Sequence, residues 1–178
     1  RGDVPNAGAC GADLCVQSAH KTLPALTPGA WLHAMPGVDA PRLRALLRMV
    51  QTSSPSFLIM LSLDEARCWM DERGRDACKR LLAAMESFRK RAAVLGFADD
   101  QVAAPPGMAY DRLRLVLHAP RGGWWLQARL EARGLDVEMA DERCVVCILS
   151  LLDGPKRLVK LLAALRSIAA EESAPGGA

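Results

Sequence analysis

The chain has 178 residues, 51% apolar and 4% aromatic, enough for one ordinary domain or one and a half small ones with a sizeable core. Lys+Arg 23 against Asp+Glu 20 leave a formal charge of +3, small and dispersed along the chain, which argues against nucleic-acid binding. No stretch reaches the roughly 18 uninterrupted apolar residues of a membrane span, and the opening RGDVPNAGACGAD lacks the apolar centre of a secretory signal.

Residues 1–13 are rich in Gly, Ala, Asn and Pro and read as a loop, an odd way for a domain to begin. Residues 13–18 read as a short strand leading into SAHKTLPALTPGAWLH, which runs from Ser18 to His33. Residues 40–51 carry Leu43, Leu46, Leu47 and Val50 at helical spacing. TSSPS breaks that helix, with Ser54 as N-cap and Pro55 at the first position of the next. This next helix, ending at Gly74, is apolar on nearly every face of its first half and is expected to be deeply buried. A further helix over 76–95 has the stripe Leu81, Met85, Phe88, Ala92 and Leu95, stopped by Gly96.

The texture then changes. Residues 98–111 form a linker with Pro105 and Pro106. Leu113, Leu115 and Leu117 alternate, predicting a strand over 112–119 with one core face. PRGG turns into a helix beginning WWLQARLEARG, one or two strands follow in LDVEMADERCVVCILSLLDG, and an amphipathic helix begins at Pro155. The order β-α-β(β)-α fits a small α+β domain, and the tail SAPGGA reads as disordered. There is no internal repeat.

Most candidate motifs read as structural. Cys10, Cys15, Cys68, Cys78, Cys144 and Cys147 sit largely in apolar runs, as expected of reduced, mostly buried thiols in a cytoplasmic protein. Cys144 and Cys147 form a lone CxxC with no second ligand pair, and positions three apart on a strand face opposite sides, so no metal is assigned. His33 and His118 are read as satisfied or partly exposed rather than as ligands, and arginine-rich runs such as RLRALLR as solvated helix faces. Trp124 and Trp125 are expected to pack between domains.

Three segments stand apart: Ser18-Ala19-His20-Lys21, LRMVQTSSPSFLIMLSLDEAR, and GLDVEMAD. In this order and spacing they resemble the ornithine/lysine/arginine decarboxylases, pyridoxal-phosphate enzymes of fold type I, over about residues 11–168. The family carries Ser-Thr-His-Lys where this chain has Ala19 in place of Thr, which removes a hydroxyl. The resemblance implies an α/β fold: the C-terminal portion of an aspartate-aminotransferase-like large domain over residues 1–97, the linker 98–111, a small α+β domain over 112–172, and a tail 173–178.

It also implies a site. Lys21 would form the Schiff base with pyridoxal 5'-phosphate, its amine made neutral by a partly buried setting. Ser18 would donate to the cofactor phosphate, and His20 would sit beside cofactor and substrate. Thr52 and Ser53 would reach the cofactor of a second copy at a homodimer or higher-order interface; hydroxyls and free N–H groups at a helix start suit an anion. Glu138 and Asp141, on a strand and its turn in the small domain, would meet the cation of a basic amino acid. The implied reaction is α-decarboxylation of arginine, lysine or ornithine, a choice the residues leave open. An aminotransferase or desulfurase of the same fold type, and a truncated non-catalytic chain, are the alternatives. The family's pyridine-nitrogen carboxylate and first phosphate loop precede the lysine by tens of residues. The chain by itself is therefore expected to be incomplete, inactive and prone to associate through its apolar helix.

Overall fold

The computed structural model describes residues 5–99, 110–152 and 154–173; the linker prolines and residues 174–178 of the expected tail lie outside them. The chain divides into two compact units, residues 1–75 and 76–178. The division falls before the change of composition at residue 98, because the helix over 75–94 packs into the core of the second unit.

The first unit opens with strand β1 (Leu14–Gln17) and the one-turn helix α1 (Ala19–Thr22). Strand β2 (Trp31–Ala34) pairs antiparallel with β1, Cys15 opposite His33 and Gln17 opposite Trp31. Helix α2 (Ala40–Val50) is capped by Asp39, whose carboxylate accepts from the Arg42 N–H at 3.0 Å. Helix α3 (Phe57–Trp69) starts later than predicted: its N-cap is Ser56, which accepts from the Ile59 N–H, and Ser54 and Pro55 lie in the preceding turn. Gly74, predicted to end this helix, sits inside a π-helical turn, Met70–Gly74, and helix α4 (Arg75–Val94) begins at the next residue. A glycine stops a helix when it turns left-handed. Gly74 keeps a negative φ, and the Met70 side chain covers the space a Cβ would need.

Expected burial fails in this unit. Phe57 and Leu58 are 79% and 71% exposed, and α2 has no buried residue despite its apolar stripe. Among the described residues of the unit, only Ala19 and Ala66 are buried apolar side chains. A stripe at helical period states which face wants covering; a partner must still supply the cover.

The second unit has the core. Strands β3 (Arg114–His118), β4 (Met139–Ala140) and β5 (Cys144–Ile148) form an antiparallel sheet in the order β3-β5-β4. Against it pack α4, α5 (Gly123–Glu131) and α6 (Pro155–Ser173). The predicted stripe holds: Leu81, Met85, Phe88 and Ala92 are buried, and Gly96 ends the helix at a φ of +88°. On β3, Leu115 and Leu117 face the core, and Val145 and Cys147 oppose them from β5. Each large apolar side chain removed from water here contributes about 1.5–3 kcal/mol. Gly122 and Gly123 let α5 start hard against the β4–β5 turn, since a Cβ on Gly123 would lie 2.0 Å from the Cys144 carbonyl oxygen.

One buried ion pair ties this unit together. Arg89 of α4 donates through Nε to Asp99 Oδ2 at 2.6 Å, with side chains only 14% and 1% exposed. Its Nη2 donates to the carbonyls of Arg112 and Arg114 at 2.9 and 3.0 Å, fastening α4 to the start of β3.

Two further expectations change. Of the six thiols only Cys147 is buried, and burial pushes it up to about 11; all six are free. Cys10 lies exposed in a turn, and Cys15, Cys68, Cys78 and Cys144 lie on strands and helices at half-buried positions. Trp124 is exposed, and Trp125 packs on the core of its own unit between the guanidinium groups of Arg121 and Arg129, 5.4 and 5.9 Å from the ring centre.

Candidate functional site

The lysine turn is built by a small set of backbone contacts. Ser18 occupies the N-cap of α1, and its carbonyl accepts the Lys21 N–H at 3.1 Å. Ala19, fully buried, anchors the turn. The Gly29 carbonyl accepts twice from His20, from its backbone N–H at 3.2 Å and from Nδ1 at 2.9 Å. A carbonyl can only accept, so Nδ1 carries a proton and Nε2 is the nitrogen left for chemistry. The loop is pinned to α3 through Ser62, whose hydroxyl accepts from the Leu26 N–H at 3.0 Å and donates to the Ile59 carbonyl at 2.8 Å.

Lys21 is exposed. The expected partly buried setting is not supplied by the residues around α1, which bury Ala19 and leave the lysine facing outward. Lys21 has no ion-pair partner among the described residues. Thr52 and Ser53 lie exposed in the turn before α3, where Thr52 Oγ1 accepts the Ser54 N–H at 3.1 Å. That leaves the Thr52 O–H free to donate.

Gly29 and Ser62 escaped the sequence, which marks neither a carbonyl acceptor nor a hydroxyl pin. Gly29 is buried, and a Cβ there would lie 2.8 Å from the Leu26 carbonyl oxygen and 3.0 Å from Leu63 Cδ2. Gly29→Ala should therefore displace the carbonyl that holds His20, at a cost of about 1–3 kcal/mol. The check is amide hydrogen exchange: the His20 and Leu26 amides should lose protection, and unchanged protection would refute the arrangement.

The second unit carries the two acidic candidates, and they differ. Asp141 Oδ1 accepts the N–H groups of Arg143 and Cys144, each at 2.7 Å. The bonds from Cys144, then from Arg143, hold this exposed carboxyl below its usual range. Asp141 thus closes the β4–β5 turn. Glu138 is exposed; its backbone N–H donates to the Val146 carbonyl at 2.9 Å. It lies on the wall of a cavity of about 380 Å³, shared with Asp136 and Arg157, which motif reading passed over.

Residues 8–107 match the major domain of the Orn/Lys/Arg decarboxylases. An uncharacterized protein of Bacillus subtilis, YaaO, is 37% identical over 158 residues, covering 84% of this chain and 32% of the relative. The arginine decarboxylase of the same organism is 27% identical over 175 residues, covering 92% of this chain and 35% of its own. The chain thus spans about a third of the length of the curated relatives it matches. In fold it is similar to the lysine decarboxylase LdcF of Francisella novicida, with a TM-score of 0.77 and 16% identity over 88% of this chain and 28% of that one. The constitutive lysine decarboxylase of E. coli gives 0.75 and 20%, over 89% and 28%. The lysine turn and the apolar helix after it fall inside a family match that covers more than half of the residues, and the chain belongs to the Orn/Lys/Arg decarboxylase family.

Proposed function

We propose that this chain supplies the lysine-bearing part of a pyridoxal 5'-phosphate-dependent enzyme that decarboxylates a basic amino acid to the amine and CO2. The observation that carries the proposal is the lysine turn: an exposed Lys21 amine, with no ion-pair partner among the described residues, next in sequence to a His20 ring held in one tautomer by Gly29. The donor set suits the cofactor, with a primary amine for an aldehyde and hydroxyls of Ser18, Thr52 and Ser53 for a phosphate. When bound, the cofactor supplies an electron sink for loss of the carboxylate.

Lys21 Nζ serves as nucleophile and proton carrier. His20, with Nδ1–H spent on Gly29, holds or accepts a proton at Nε2. Ser18 donates to the phosphate, and Thr52 and Ser53 do so toward a second copy in a homodimer or higher assembly. Glu138 takes the distal cation of the substrate, and Asp141 shapes the turn behind it. The cytoplasm is the compartment this reading implies.

The test replaces the third of the Bacillus subtilis arginine decarboxylase that this chain matches with the chain itself. Borohydride reduction of the cofactor-loaded chimera and peptide mapping should place one pyridoxyl label, on Lys21, and a basic amino acid should release CO2. A label on Lys79, Lys90, Lys156 or Lys160 instead, or a keto acid in place of CO2, overturns the proposal.

A further inference from the structure

Among the described residues, cysteine faces histidine across two strand pairs: Cys15 opposite His33 between β1 and β2, and Cys144 opposite His118 between β5 and β3. The register makes them different. Opposed residues of an antiparallel pair alternate between a wide, hydrogen-bonded kind and a narrow kind whose Cα atoms are about 4.5 Å apart. The Met35 N–H donates to the Asp13 carbonyl, so Asp13 and Met35 form a wide pair, and Cys15 with His33, two residues on, is wide as well. The His118 N–H points away from β5, to the Ala98 carbonyl at 2.8 Å. Both backbone groups of Cys144 turn to Asp141, whose N–H donates to the Cys144 carbonyl at 3.0 Å and whose Oδ1 accepts the Cys144 N–H at 2.7 Å. Cys144 and His118 are therefore a narrow pair, with both half-buried side chains together on one face of the sheet. It is the face away from the core, since their strand neighbours Val145 and Leu117 are buried.

The surrounding groups decide which of them can react. The N–H groups of Cys144 and Arg143 hold the Asp141 carboxyl below its usual range, and the Cys144 thiol and the charge of His118 add to this in smaller measure. A carboxyl so held is a poor base for a thiol; an imidazole, ordinarily near about 6.5, is the base within reach. At the wide pair the imidazole is engaged elsewhere: His33 Nε2 donates to Gln17 Oε1 at 3.1 Å, and the ring meets Trp31 edge-on. We propose that Cys144 is a thiol–disulfide exchange site activated by His118, and that its reaction partner is a low-molecular-weight disulfide. His118 accepts the thiol proton, and the Cys144 thiolate attacks one sulfur of the disulfide. A new S–S bond forms to Sγ, the S–S bond of the reagent breaks, and the departing thiolate takes the proton back from His118. Cys144 is oxidised, half of the disulfide is reduced, and no other co-reactant enters. The thiol and imidazole in narrow register make the site; Cys10 in its turn, Cys68 on α3 and Cys78 on α4 stand outside any strand register. The proposal needs neither Lys21 nor the decarboxylase reading.

Glutathione disulfide at neutral pH, followed by quenching with an alkylating agent and peptide mass mapping, tests this on the whole chain. Cys144 should form the mixed disulfide about threefold or more faster than the exposed Cys10, because a base at hand raises the thiolate share while a stabilised thiolate gives up part of its nucleophilicity. Cys15, in the wide pair, should show no such advantage. His118→Ala should slow Cys144 to the rate of Cys10 or below and leave Cys10 unchanged, and free imidazole in the buffer should restore the rate. A ring that merely covers the thiol would do the reverse, since its removal would speed the exchange. Far-UV spectra matching the parent show that the variant is folded; should the alanine variant lose its fold, His118→Gln, closer in volume, gives the same reading. Cys144 reacting no faster than Cys10, Cys15 reacting as fast as Cys144, or a folded His118 variant exchanging at the parent rate or faster overturns the proposal.

Discussion

Arg89→Met should destabilise the second unit by about 3–5 kcal/mol, the usual cost of removing one partner of a buried ion pair. Asp99, its side chain 1% exposed, would lose the guanidinium that donates to it at 2.6 Å, and the carbonyls of Arg112 and Arg114 would lose a donor. Whole domains are stable by only about 5–15 kcal/mol, so the loss is a large share. Urea unfolding followed by tryptophan fluorescence measures it, since Trp124 and Trp125 both belong to this unit. The double variant Arg89→Met, Asp99→Leu should recover most of the loss, because an apolar pair of similar volume carries no desolvation cost. Arg89→Met within about 1 kcal/mol of the parent, the range of an exposed pair, would show that the pair is not buried in solution.

Lys21→Ala in the chimera should lower decarboxylation by about 10²–10⁴-fold, the contribution of one positioned proton-transfer group, with more lost if the nucleophile itself is essential. The fold should not change. Lys21 is exposed, and the lysine turn is held by Ala19, His20, Gly29 and Ser62. Lys21→Arg should be equally impaired, since a guanidinium stays protonated at any working pH and cannot serve as nucleophile. Far-UV spectra and rates on a basic amino acid decide the matter: activity within tenfold of the parent would remove Lys21 from the chemistry.

What the sequence made legible follows from what periodicity encodes. The stripe of α4, the alternation on β3 and the left-handed stop at Gly96 are local patterns, and each appears where the residues put it. Burial of α3 was misjudged because a run such as FLIML states a preference for apolar surroundings, whereas Phe57 and Leu58 find none in this chain. Gly74 was misjudged because glycine ends a helix through its φ, which composition does not reveal. In the candidate site, Lys21 and His20 were visible as a short motif. Gly29 and Ser62 act through a carbonyl and a hydroxyl reached across 9 and 36 residues, contacts that exist only after folding. Asp141 looked equivalent to Glu138 until the turn claimed its carboxylate.

The scarcity of core in the first unit has a thermodynamic consequence. The heat capacity of unfolding arises mainly from apolar surface newly exposed to water. With Ala19 and Ala66 as its buried apolar side chains among the described residues, the first unit has less such surface to expose, so most of the calorimetric signal belongs to the second. At about 12–15 cal/mol/K per residue, the chain would melt with the heat capacity of a protein little more than half its length.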